Sequence, residues 1–265
     1  MIKKGVFIAL SLALSLAIGL AVTAPYASAA ALSDVVNTLE TPFQAETAAE
    51  YRILDYSADF SQESKIASLD RLQRANGRVE VAFGYQAGQV QQTGPTVKFH
   101  WQYDSPSTQK IISDGETMWV YLPENNQVIE SNLELVNQAD QSDPMAFLTG
   151  LGNLSRDFSI SWAMPQQDTE GNYVLQMTPR QSSSLVGKLV IVVDRHAVES
   201  FQNRGKAKRP WFPILSTTVY DPNGNSTVIQ FSKLRVNHGI PDTVFAFIAP
   251  EGVQVVRPTG EKTGF

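Results

Sequence analysis

The residue types able to do chemistry are few in this chain, and their spacing excludes more than it suggests. Cysteine is absent, so disulfides, thiol catalysis and a lipid carried on an N-terminal cysteine are all excluded. The three histidines, His100, His196 and His238, fall in no HExxH or other metal-ligand spacing. There is no G-x-S-x-G elbow and no glycine-rich phosphate loop, and Ser182-Ser183-Ser184 reads as a loop. Asp221, Asn223 and Asn225 have the spacing that opens a calcium loop. The match then fails, because Ser226 stands where the loop needs glycine and Ser232 where it needs a bidentate glutamate, so a hairpin turn is expected. Carboxylate pairs such as Asp140 and Asp143, or Glu130 and Glu134, have the groups for acid–base work, but nothing in the sequence sets either pair across a cleft. The expectation is a protein without catalysis, metal or cofactor.

The informative residues are apolar. In VKFHWQY, Phe99, Trp101 and Tyr103 share one side of a strand, opposite Lys98, His100 and Gln102. DYSADFSQES alternates in the same way, with Tyr56, Ala58 and Phe60 on one side. TMWVYL does not alternate: Met118, Val120 and Leu122 would occupy one face and Trp119 and Tyr121 the other, so both faces call for a cover other than water. A second cluster is cationic. NRGKAKRPWFP places Arg204, Lys206, Lys208 and Arg209 just before Trp211, which reads either as a solvated tip or as a docking patch for a partner or anionic lipid surface.

These residues sit in an exported, acidic chain. Lys3 and Lys4 precede a long apolar run that ends at Pro25 and the small residues Ala27-Ser28-Ala29, the pattern of a signal peptide cleaved after Ala29 or Ala31. Removing those two lysines takes the net charge from −5 to −7, which disfavours nucleic acid as a partner. Residues 30–265 are expected to form one domain, stable in the periplasm without disulfides.

The expected elements are mostly strands. Leu32, Val35, Val36 and Leu39 are spaced for a short helix after a Ser33 cap. Strands are then expected at DYSADFSQES, RVEVAFGYQ, VKFHWQY and on both sides of the Asp114-Gly115 turn, with SLDRLQRANG open between strand and helical turn. A Pro144-initiated helix carrying Met145, Phe147, Leu148 and Leu151 interrupts them. Further strands follow at DFSISWA, NYVLQM, GKLVIVVD, SFQNR, ILSTTVYD, STVIQFSKLRV and TVFAFIA. About ten or eleven strands at this spacing, without long intervening helices, predict a sandwich or barrel.

The run VKFHWQYDSPSTQKIISDGETMWVYLPENNQVIE resembles the signature region of the periplasmic outer-membrane lipoprotein carrier family, LolA. ADFSQ, DPMAFLTGL and FAFIAPEGVQVV resemble that family's first strand, Pro-initiated helix and closing segment, so the likeness spans about Leu32 to Val256. The resemblance implies a mainly β (α+β) fold: an incomplete antiparallel barrel with short helices as a lid over an apolar concave face. It further implies a non-catalytic monomeric carrier. The carrier would take acylated lipoproteins from an ATP-driven inner-membrane release complex, shield their acyl chains and pass them to an outer-membrane receptor. By position, Phe60, Phe99, Trp101, Tyr103, Met118 and Trp119 would bind lipid, with Met145, Phe147 and Leu148 on the lid. Gly94-Pro95 departs from the family's arginine-proline pair, and Lys98 is the nearest cation. A lipid- or lipoprotein-binding sensor on the same fold is the alternative reading.

Overall fold

Alternation of apolar and polar residues along the chain produces one sheet with a single large interior. The computed structural model describes residues 30–85, 95–133, 151–183, 186–203 and 210–258. Among these lie twelve strands: β1 (Asp55–Ile66), β2 (Arg71–Gly84), β3 (Thr96–Ser105), β4 (Gln109–Ser113), β5 (Thr117–Leu122), β6 (Gln127–Asn132), β7 (Phe158–Gln167), β8 (Tyr173–Pro179), β9 (Lys188–Val193), β10 (Ile214–Tyr220), β11 (Ser226–Val236) and β12 (Gln254–Val256). They form a single sheet in the order β12-β6-β5-β4-β3-β2-β1-β11-β10-β9-β8-β7. Every pairing is antiparallel except β12 with β6, which is parallel. The two end strands do not pair with each other, so the barrel is left open.

Turn chemistry sets the register. Asp114 accepts hydrogen bonds from the Glu116 and Thr117 amides at 3.0 and 2.8 Å, and Gly115 takes φ of +99°, joining β4 to β5. Asp221, weighed above as a calcium-loop opener, accepts instead from the amides of Asn223 and Asn225 and from the Asn225 side chain, holding the β10–β11 turn. The SLDRLQRANG segment contains both alternatives, a 3-10 turn at Ala67–Leu69 and then the start of β2.

The interior lies on one face of the sheet. Its members include Tyr56, Ala58 and Phe60 of β1, Val79 and Val81 of β2, Leu175 and Met177 of β8, Ile191 of β9 and Phe231 of β11. Helix α1 (Leu32–Glu40) packs Val35 and Leu39 into it, and the following 3-10 turn adds Phe43. The helix begins after Ala31, which makes no side-chain cap bond, so Ser33 is not the cap. A one-turn helix α2 (Leu154–Asp157) is held to α1 by the buried Glu40 carboxylate, which accepts from the Ser155 amide.

Two expected strands are not strands. Of SFQNR, Ser200–Gln202 fall in helix α3 (Arg195–Gln202) and Asn203 in the turn after it, while Arg204 lies outside the described residues. Asp194 caps α3 by accepting from the His196 amide at 2.7 Å, and Ala197 and Val198 bury one face, so capping and a helical apolar spacing override the β-like look of Ser200-Phe201. TVFAFIA contributes a 3-10 turn at Asp242–Phe245 and then irregular backbone, with the closing strand only at Gln254–Val256. Of the helix expected after Pro144, Met145, Phe147 and Leu148 lie outside the described residues, and Leu151 is buried in a 3-10 turn at Leu151–Asn153.

That C-terminal segment builds a second, smaller apolar layer on the outer face of the sheet. Phe245 is 1% exposed, and Ile112 and Val128, buried on the outer side of β4 and β6, stand apart from the main core. Phe247 lies 5.9 Å from the Trp119 ring and 5.8 Å from the Tyr121 ring. The segment is tied down by Lys98 to Asp242 at 2.9 Å, by Asn126 to the Gly252 carbonyl at 2.9 Å, and by Arg257 to Glu130 at 2.7 Å. This is the cover that the two-faced TMWVYL strand required.

Candidate functional site

Strand register brings the sequence-expected aromatics onto the inner face. Phe60 pairs across β1 and β2 with Gly77, and Val79 pairs onward with Trp101 of β3. Phe60 and Trp101 rings lie 4.5 Å apart, Tyr103 stands edge-on to Phe60 at 5.1 Å, and Phe231 is 6.3 Å from Trp101. The row continues through Phe212, 6.4 Å from Phe231 and 4.4 Å from Tyr56, to Phe83 and Phe43, whose rings are 5.1 Å apart. Phe99 is buried in the same core, and Met118, reached through the Phe99–Ser113–Met118 register, packs against it. The interior is therefore a continuous aromatic wall.

Gly77 is the residue that lets these rings meet. A Cβ placed there would lie 1.9 Å from the Gln102 carbonyl oxygen and 3.0 Å from the Phe60 ring. The β2–β3 register shifts between Asn76 and Gly77, so the backbone crosses closely there and only a hydrogen fits.

Among the described residues, the Trp101 indole nitrogen and the Tyr56 hydroxyl in the wall have no hydrogen-bond partner. Burial pushes the Tyr56 phenol well above its ordinary range, so it stays protonated. Tyr103 by contrast donates to Gln62 Oε1 at 3.0 Å.

The remaining expected residues separate. Trp119 is on the outer face, under Phe247, and its indole donates to Glu130 at 3.4 Å. Lys98 also points outward, to Asp242. Trp211 is 53% exposed and donates to Asp194 at 2.8 Å, while its neighbour Phe212 is buried in the aromatic row. Met145, Phe147, Leu148, Arg204, Lys206, Lys208 and Arg209 lie outside the described residues. Sequence reasoning missed Phe212, Phe43 and Phe83 as interior residues. For Phe212 the available signal was the tandem Trp-Phe, one ring polar-tipped and tethered, the other free to be buried.

On the outer face, His100 has a buried Nε2 without a partner, and its Nδ1 lies 3.8 Å from Glu80. Burial lowers its pKa below the ordinary 6.5, Glu80 partly opposes this, and Lys110 adds to it. Among the described residues, no three His, Cys, Asp or Glu side chains stand close enough to hold a metal ion.

These features define a class: an open, mostly antiparallel sheet whose inner face is an aromatic wall. The chain belongs to the LolA family, since the model described as outer membrane lipoprotein carrier protein LolA matches residues 52–206. A protein of Chromobacterium violaceum named outer-membrane lipoprotein carrier protein is 28% identical over 82% of this chain and 91% of its own length. One of the same name from Alcanivorax borkumensis is 27% identical over 88% of this chain and 91% of its own. Among solved structures, a LolA superfamily protein from Nitrosomonas europaea aligns at 14% identity with a TM-score of 0.36, covering 82% of this chain and 96% of that one.

Proposed function

We propose that this chain is a periplasmic carrier of acylated lipoproteins. It accepts them from an ATP-driven release complex in the inner membrane and delivers them to a receptor on the outer membrane, acting without catalysis and as a monomer. Residues 1–29 serve as a cleaved signal peptide, and residues 30–265 form the mature carrier domain. The reading rests on the aromatic wall from Tyr103 to Phe43 in a chain of this family.

The physical requirement is reversible shielding. Each methylene of an acyl chain gains about 0.8 kcal/mol on leaving water, so a lipoprotein cannot cross the periplasm bare. The inner rings already pack on one another. An entering acyl chain therefore exchanges ring–ring contacts for ring–methylene contacts, and the net affinity stays low enough for release. Met145, Phe147 and Leu148, after Pro144, are the proposed lid residues.

Purification of the tagged protein from periplasm tests the reading. A triacylated lipoprotein should co-purify with it and move to receptor-containing membranes when these are added. Correct lipoprotein sorting in cells depleted of the protein, accompanied by an altered envelope stress response, would overturn it in favour of a sensor.

A further inference from the structure

The inner face changes character along β1. On one side of Trp101 the wall is continuous aromatic surface, running through Phe231 and Phe212 to Tyr56, where Phe83 and Phe43 close it. On the other side it turns polar within one residue pair. Tyr103 donates to Gln62, the Gln62 amide donates to Ser64 Oγ at 3.2 Å, and Ser64 shares a 3.0 Å hydrogen bond with the Thr227 hydroxyl. Trp101 stands at this boundary, 4.5 Å from Phe60, with its side chain 1% exposed and its indole N–H unpaired. Buried donors are nearly always satisfied, and an orphan in a native interior calls for an explanation.

We propose that the Trp101 indole N–H is the registration point for the ligand: it donates to an ester carbonyl at the head of the acyl chains. The tails then lie over the rings toward Tyr56. The glyceryl head and the attached polypeptide leave past Gln62 and Ser64, toward the β1–β2 turn. This rests on the carrier reading, to which it adds a ligand orientation and a specific acceptor. A carbonyl is the acceptor the site demands, because an indole nitrogen only donates and an acyl chain's sole polar group is its ester or amide linkage. Tyr56 also has a hydroxyl without a partner among the described residues, but its ring lies against Phe83 and Phe212 at 6.2 and 4.4 Å, and no chain of polar side chains like Tyr103-Gln62-Ser64 continues from it.

The test compares two probes on the intact protein, a synthetic dipalmitoylglyceryl-cysteine peptide and its dihexadecyl-ether analogue, which has the same tails without the ester carbonyls. The wild type should bind the ester about fivefold to tenfold more tightly, the scale of one net hydrogen bond. Trp101→Phe should bring the ester-to-ether affinity ratio to about one, whatever its overall affinity, and Tyr56→Phe should keep the wild-type ratio. The ¹⁵N-labelled wild-type protein provides a readout that needs no variant: the Trp101 indole resonance should shift with the ester and not with the ether. Equal binding of both probes, an unmoved indole resonance, or a preference lost in Tyr56→Phe and kept in Trp101→Phe would overturn the orientation. Failure of both probes to bind would instead remove the carrier reading on which it rests.

Discussion

At the scale of single residues, the interior depends on one missing side chain and one ring position. Gly77→Ala forces a methyl group into the Gln102 carbonyl, and overpacking of this kind costs about 1–3 kcal/mol. Denaturant titration should show a lower midpoint with an unchanged slope, and an unshifted midpoint would mean the strands part freely there. Trp101→Glu places an unpaired carboxylate at a position only 1% exposed, so it should lower the unfolding midpoint as well as weaken ligand binding. His100 gives a pH dependence. Its folded pKa lies below the unfolded 6.5, so the unfolded state takes up the proton first. Its contribution to stability is fully present above about 6.5 and is lost as pH falls below that value. The stability of His100→Gln should fall less than that of the wild type between pH 7 and pH 5.5; parallel curves would assign the acid sensitivity elsewhere. The aromatic positions Phe60, Phe99, Trp101 and Tyr103 were readable from strict alternation. The side taken by Trp119 was not, since a strand apolar on both faces carries no periodic signal.

At the scale of elements, the C-terminal segment and α3 account for most of what the sequence left unread. TVFAFIA has the composition of a strand, yet it packs as a cover because its rings fill the outer layer over β4–β6, with Phe245 buried and Phe247 against Trp119 and Tyr121. Tertiary burial outweighs β propensity there. Phe245→Ala should cost about 3–5 kcal/mol, measured by thermal or chemical unfolding. Asp242→Asn, which weakens a largely exposed ion pair with Lys98, should cost under about 1 kcal/mol. Comparable losses in the two variants would show that the segment is held by charge and not by packing. For α3, the Asp194 carboxylate both caps the helix and anchors Trp211. A cap accounts for about 0.5–2 kcal/mol, so Asp194→Ala should lower stability within that range and shift the Trp211 emission.

At the scale of the whole molecule, a single open sheet combines two features. It buries one aromatic wall under α1 and the turns that follow it, and it leaves the end strands β7 and β12 unpaired with each other. The succession of mostly antiparallel strands was legible in turn signals and alternation, while β6 and β12 were not singled out and twelve strands stand among the described residues where about ten or eleven were expected. The parallel β12–β6 pair was not legible, because it joins residues over a hundred positions apart through three residues only. Reversible shielding of acyl chains can be measured by reconstituted release. Inner-membrane vesicles carrying the release complex and a labelled triacylated lipoprotein are given ATP, with and without this protein, and the soluble fraction is assayed. The lipoprotein should appear in solution, bound to this protein, only when the protein is present. An equal amount left on the membrane in both reactions would contradict that shielding.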